Sequence, residues 1–349
     1  MKSITSTFGP LPLGFLLPGL VAILATLEPQ AEEKLVFRSV AERSLEKHFV
    51  QHSSMDLVEM KVTLDGPEGP QEPEIELPKL KIVDDETIEF TDETLAAGEG
   101  RPKKLKRTFD SIENSVTFES EGSEDEEGGS ETTKNVTGLT GKSVLFTWND
   151  EEEAFEAAWP EGESGDDDLL EDLVEDADFR GWLPQGAVSE GDTWKIPGAE
   201  FNNLQEPSGP MGYRAEGEEE ARDDSESDEL RDNIEGEIEA TFKGTRDEGG
   251  IQVGVIAFEA KLSSKSQREV ENDEGPAGES TTESAMDLQG EILWDLAGGH
   301  FRALKCDSDF KFTSAQKRTL EFDQGTLTIT ERRGFEGKKT YRFTCAPNK

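Results

Sequence analysis

Gly141-Lys142-Ser143 has the residue types that close a phosphate-binding loop, where backbone amides and a lysine hold phosphate at the start of a helix. The leading glycine of such a loop would fall at Val136. The residues that follow, Ser143-Val144-Leu145-Phe146-Thr147-Trp148, alternate as a strand does. No nucleotide is expected on these grounds. His48 and His52 have the four-residue spacing that can share zinc on a helix, but no glutamate follows His48 and four ligands cannot be named. They suit the exposed face of a strand, and no metal site is assigned to them or to His300. A serine hydrolase needs Gly-x-Ser-x-Gly, and Gly162-Glu163-Ser164-Gly165 has the wrong spacing.

Carboxylates are abundant enough to blunt any argument from pairs. With 78 Asp plus Glu, no two stand out as an acid and base for glycoside chemistry. Calcium suits an acidic chain, but no Asp-x-Asp-x-Asp-Gly loop occurs, so at most weak cation association is expected. No catalytic residue and no cofactor are assigned, and a non-enzymatic protein is the favoured class.

Cys306 and Cys345 are the two cysteines. Alternation places Cys306 on one face with Leu304, Phe310 and Phe312, and Cys345 with Tyr341 and Phe343, so both thiols should point inward. A Cys306–Cys345 disulfide is the candidate, the alternative being two unpaired buried thiols. Four of the five tryptophans, Trp148, Trp159, Trp182 and Trp194, cluster in the middle of the chain, and Trp294 lies apart. Aromatic side chains at such density build a core, or line an apolar pocket.

The elements that must position these residues are mostly strands. Val58, Met60, Val62 and Leu64 share one face, and Leu288, Ile292, Trp294 and Leu296 another. Turn signals at Asp65-Gly66-Pro67, Asp247 to Gly250, Gly298-Gly299 and Asp323-Gln324-Gly325 have hairpin spacing. The carboxy-terminal half therefore reads as a meander with strands near 234–246, 250–263, 283–296, 300–314, 317–331 and 336–345. One segment has helical spacing: Asp166 to Asp168 precede Leu169, Leu170, Leu173, Val174 and Ala177, with Pro184 beyond. Segments near 119–133, 216–232 and 265–282 are rich in Glu, Asp, Ser and Gly and are expected to be disordered loops. The predicted fold class is mainly β: a large curved antiparallel sheet, half-barrel or open-barrel meander, with one short amphipathic helix and acidic loops.

Net charge is −42, from 36 basic and 78 acidic residues, which repels phosphate backbones and excludes nucleic acid as a partner. Leu11 to Leu27 is almost wholly apolar, contains Pro12 and Pro18, and is short of the roughly 20 residues of a membrane span. Residues 1–31 are thus expected to be a cleaved export signal, or else an uncleaved anchor, and 32–349 a single β domain in the periplasm or outside the cell.

Leu139 to Trp148, Leu169 to Leu173, Leu183-Pro184 and Gly191-Asp192-Thr193-Trp194 together resemble exported bacterial proteins of unknown function. In architecture, a curved sheet with a helix on its concave side is similar to the half-barrel of periplasmic lipoprotein carriers such as LolA and LppX. That resemblance implies an apolar ligand or lipid held between sheet and helix, with Trp148, Trp159, Leu169, Leu173, Trp182 and Trp294 as candidate lining. The alternative is an acidic envelope or extracellular scaffold that contacts an envelope protein partner with weak calcium binding.

Overall fold

The computed structural model describes residues 32–121, 128–218, 225–270, 278–322 and 325–348. The export signal expected over 1–31 lies outside the described residues. Glu32–Lys349 form one compact unit. In chain order the strands are β1 (Ser44–Gly66), β2 (Gly69–Gln71), β3 (Leu80–Ala97), β4 (Pro102–Ser120), β5 (Gly129–Val136), β6 (Ser143–Asn149), β7 (Ala154–Ala158), β8 (Thr193–Pro197), β9 (Arg214–Ala215), β10 (Glu237–Glu248), β11 (Ile251–Val270), β12 (Gly278–Asp295), β13 (His300–Phe322) and β14 (Gly325–Pro347). Two short helices, α1 (Asn202–Gln205) and α2 (Ser225–Asp232), lie between β8 and β10.

All the strands join one antiparallel sheet, ordered β7-β6-β4-β3-β1-β14-β13-β12-β11-β10-β8, with β2, β5 and β9 attached at its side. The sheet is open, because β7 and β8 end the order without pairing. The expected antiparallel meander is present, with the last strand returning to pair with the first: Phe49 faces Phe343 and Leu57 faces Phe335 across β1 and β14. The carboxy-terminal half has five strands where six were expected. β13 and β14 each run 23 residues through the predicted breaks near 315 and 334.

Two of the acidic segments hold more structure than their composition suggests. Residues 265–270 and 278–282 extend β11 and β12 in register, and 225–232 form α2. Residues 122–127, 219–224 and 271–277 lie outside the described residues. Periodicity misses these strand ends because hydroxyls fill their inner face: Ser266, Ser280 and Thr282 are buried beneath α2. Ser266 Oγ donates to Glu229 at 2.6 Å, Thr282 bonds Glu226, and Ser264 donates to the Leu230 carbonyl. Similarly, 119–120 and 129–133, also expected in a loop, belong to β4 and β5.

The predicted helix after Asp166 is a single 3₁₀ turn over Asp167–Leu170, capped by the Asp166 carboxylate on the Asp168 amide. Beyond it the backbone leaves the helical path because its carbonyls find tertiary partners. Arg107 donates to the carbonyls of Val174 (3.0 Å) and Glu175 (2.9 Å), Lys47 to that of Ala177 (3.1 Å), and the Val174 amide donates to Ser208 O (2.7 Å). The helical spacing of Leu169, Leu173 and Ala177 thus records inward-facing positions of an irregular segment.

That segment, from Trp159 to Tyr213, fills one end of the sheet's inner face. Phe179 packs edge-on against Phe301 (5.1 Å) and Phe343 (5.7 Å), Trp182 against Phe258 (5.0 Å), and Phe201 against Tyr341 (5.7 Å). Phe179 is held at φ 55°, a left-handed conformation that costs on the order of 1–3 kcal/mol and is retained by this ring packing.

Cys306 and Cys345 both point inward, as alternation predicts, but they are free thiols. The expected disulfide is ruled out by register. Cys306 lies opposite Tyr341, and Cys345 is four residues further along β14, roughly 13 Å at about 3.4 Å per residue. A bridge needs Cα atoms within about 7 Å. Burial pushes both thiols up to about 12.

Candidate functional site

Two polar clusters lie on the inner face, one sealed and one open. The sealed one joins the sheet to its covering segment. Lys47 of β1 donates to Asp92 (2.8 Å) and Asp178 (2.7 Å), and Arg107 of β4 forks onto both oxygens of Asp92 (2.7 and 2.8 Å) and reaches Ser208 (2.7 Å). Burial works against every charge here. The partners outweigh it: Asp178 and Asp92 raise Lys47, Asp92 raises Arg107, and Arg107 with Lys47 hold Asp92 below the usual carboxylate range. Arg180 adds bonds to Glu175 (2.6 Å) and Asp176 (3.0 Å). These bonds fix the path of residues 174–180 against the sheet.

The open cluster floors a cleft of about 310 Å³, at the lower end of the range typical of small-molecule sites. Alternation on β1, β3, β4, β12, β13 and β14 sends every second side chain into it. Its floor is polar: Gln51, Asp84, Glu86, Asn114 and Lys339. Its walls are apolar: Ile88, Val116, Met286, Phe310 and Phe312 from the sheet, Met211 from the covering segment, and Leu230 from α2. Gly209 forms part of the rim at φ +83°, and a Cβ there would lie 2.2 Å from the Asp172 carbonyl oxygen, so only glycine fits.

The polar floor is unevenly paired. Tyr213 Oη donates to Glu86 at 2.6 Å, Gln51 and Asn114 approach Asp84 at 3.3 and 3.5 Å, and Arg231 bonds Glu206 and Asp228. Lys339 lies over the Tyr341 ring at 5.3 Å, and among the described residues its ammonium has no hydrogen bond or ion pair. The Tyr341 hydroxyl, two residues along the same face, is buried without a hydrogen-bond partner among the described residues. Burial, opposed by the Tyr213 bond, raises Glu86 to about 7, and burial lowers Lys339. The arrangement can hold a molecule with an apolar body and a polar end.

None of the six candidate pocket residues lines this cleft. Trp182 and Trp294 are fully buried, their indole nitrogens donating to the carbonyls of Glu200 (3.1 Å) and Val36 (3.3 Å). Trp159, Leu169 and Leu173 are half-buried against the core. Trp148 lies near the β7 edge, packed edge-on against Phe155 (5.1 Å) beneath the Arg101 guanidinium (3.8 Å). Aromatic density marked where the sheet is filled. The cleft begins where that filling stops, and the signal for it is a change along three of its strands from large apolar inward residues to polar ones: Phe49 to Gln51 on β1, Ile88 to Glu86 and Asp84 on β3, and Tyr341 to Lys339 on β14.

His48 and His52 lie on the outer face of β1, beside Glu89 (3.9 Å) and Asp85 (2.6 Å). Among the described residues, no three His, Cys, Asp or Glu converge as a metal site would require. No helix among the described residues is long and apolar enough to cross a membrane.

No protein family and no characterised protein matches the chain in sequence. Among solved structures it is weakly similar to outer-membrane β-barrel proteins. A FadL homologue of Pseudomonas aeruginosa is 8% identical over 87% of this chain and 90% of that one, with a TM-score of 0.16. The β domain of the Bordetella autotransporter BrkA is 8% identical over 86% and 99%, with a TM-score of 0.14. At these scores the likeness carries no weight for fold or function.

Proposed function

We propose that the protein is an exported, non-enzymatic carrier that holds an apolar or lipid ligand on the inner face of its open sheet, in the cleft beneath residues 205–213 and α2. The observation that carries this reading is the cleft itself, where apolar walls stand over a polar floor whose Lys339 ammonium has no hydrogen bond or ion pair among the described residues. The apolar surface continues past it. Register places Ile82 beside Phe118 and Leu320 beside Leu327 on the same face, and Phe118 is 44% exposed. The architectural analogy with periplasmic lipoprotein carriers suggests the same use of an open sheet, with an envelope protein partner delivering or receiving the ligand. The apolar run from Leu11 to Leu27 supports export.

Native mass spectrometry of the purified full chain tests the reading. Copurifying apolar mass that is lost in Met286→Glu and Phe310→Glu, with folding retained, is the expected result. A clean apo mass that also refuses added lipids overturns it.

A further inference from the structure

We propose that the ligand is an aliphatic amphiphile with an oxyanion head, and that Lys339 anchors that head beside the Glu86–Tyr213 pair. This deepens the carrier reading and rests on it. The argument is one of unmet hydrogen-bond capacity. Asp84 takes Gln51 and Asn114, Glu86 takes Tyr213, and Arg231 is engaged by Glu206 and Asp228. The ammonium of Lys339 is the donor on the cleft floor that lacks an acceptor among the described residues, and it stands against apolar walls suited to a chain. An ammonium in such surroundings gains most from a charge-assisted bond to an anionic oxygen.

Bringing a negative head into this floor requires that another negative charge be relieved, and Glu86 is placed to do so. The groups facing it are Asp84 on its own strand, Lys339 on β14, Glu206 after α1 and Tyr213 before β9, with Arg231 of α2 on the same cleft. Burial already brings its carboxyl to about 7. Protonation of Glu86 removes one negative charge beside the head, so oxyanion binding tightens as pH falls from 8 to 6. The limit is about tenfold, the change in the protonated fraction of such a group.

Isothermal titration of the full chain with dodecanesulfonate, ionised at both pH values, and with uncharged dodecanol separates head from chain. The sulfonate is expected to bind roughly ten- to a hundredfold more tightly. Lys339→Met should bring the sulfonate to the level of dodecanol measured on the same variant, and Glu86→Gln should abolish the pH dependence. Dodecanoate and dodecyl phosphate, each with the same dependence on Lys339, support the proposal, and their ratio distinguishes a carboxylate from a phosphate head. Equal affinity for sulfonate and alcohol, tighter binding of dodecyltrimethylammonium, or discrimination that survives Lys339→Met overturns the anchor while leaving the carrier reading in place. Failure of every chain to bind overturns both.

Discussion

The cluster around Asp92 and the cluster around Lys339 sit on the same inner face, and each sets lysine and arginine among carboxylates. They differ in what closes them. Around Asp92 the charges of Lys47, Arg107 and Asp178 have partners at 2.7–2.8 Å, and the covering segment supplies backbone carbonyls for donors that remain. Around Lys339 the covering segment pulls away, leaving a cleft and an ammonium without an acceptor among the described residues. The Lys339 ammonium faces an open cleft, whereas Lys47, Asp92 and Arg107 are sealed from solvent. The first cluster is a fastening. The second is the socket that the carrier reading requires.

The sharpest way to break this distinction is to remove one member of each. Asp92→Asn leaves Lys47 and Arg107 buried with less than their compensation, and should destabilise the protein by about 3–5 kcal/mol in urea unfolding. Lys339→Met removes a charge that has no ion pair among the described residues, and should change stability by less than about 1 kcal/mol. Equal losses at the two sites would show that Lys339 is as much a fastening as Asp92.

A smaller effect separates them by pH. Glu86 titrates near 7 in the folded chain, above the ordinary value of 4.5, so the folded state holds its proton more tightly than the unfolded one. The stability this confers is complete below about pH 4.5 and is lost as pH rises through 7, by up to about 3 kcal/mol. Glu175 behaves in the same direction, burial raising it to about 7. Asp92, held low, contributes stability above its unfolded value of 3.8 and loses it as the pH falls further. Thermal unfolding from pH 5 to 8 should therefore show a falling midpoint. Glu86→Gln should remove part of that slope, and a parallel curve in that variant would contradict the account.

Much of the sheet was legible because its core strands alternate strictly, as in Ile238, Ala240 and Phe242 on β10 or Leu288, Ile292 and Trp294 on β12. Hairpins were legible where backbone conformation demands particular residues, as at Gly249 and Gly250, both with positive φ. The strand ends were hidden because Ser264, Ser266 and Thr282 carry no apolar signal, and their hydroxyls are satisfied by carboxylates and a carbonyl from α2. The missing helix was hidden for a related reason: the partners that draw its carbonyls away, Lys47 and Arg107, are more than sixty residues distant in the chain. The cleft was hidden because its lining is drawn from many strands and from the covering segment, and no single strand contains that information.

The smallest effect concerns the cysteines, and it bears on the same filled end of the sheet. Cys345 lies opposite Lys47, within the influence of Asp178 and Asp92, and Cys306 sits deep beside Tyr341. With both thiols raised to about 12 by burial, neither presents a thiolate at neutral pH. Ellman's reagent should therefore leave both unreacted in the native protein and titrate two equivalents in guanidinium, and a reductant should not shift the unfolding midpoint. Fast labelling of Cys345 in the native state would mean that the end of the sheet fastened by Lys47 and Asp178 opens locally, and would erase the contrast with the socket. Labelling of neither until global unfolding would place both cysteines inside the most stable unit of the fold, with whatever local opening admits a ligand confined to the Lys339 side.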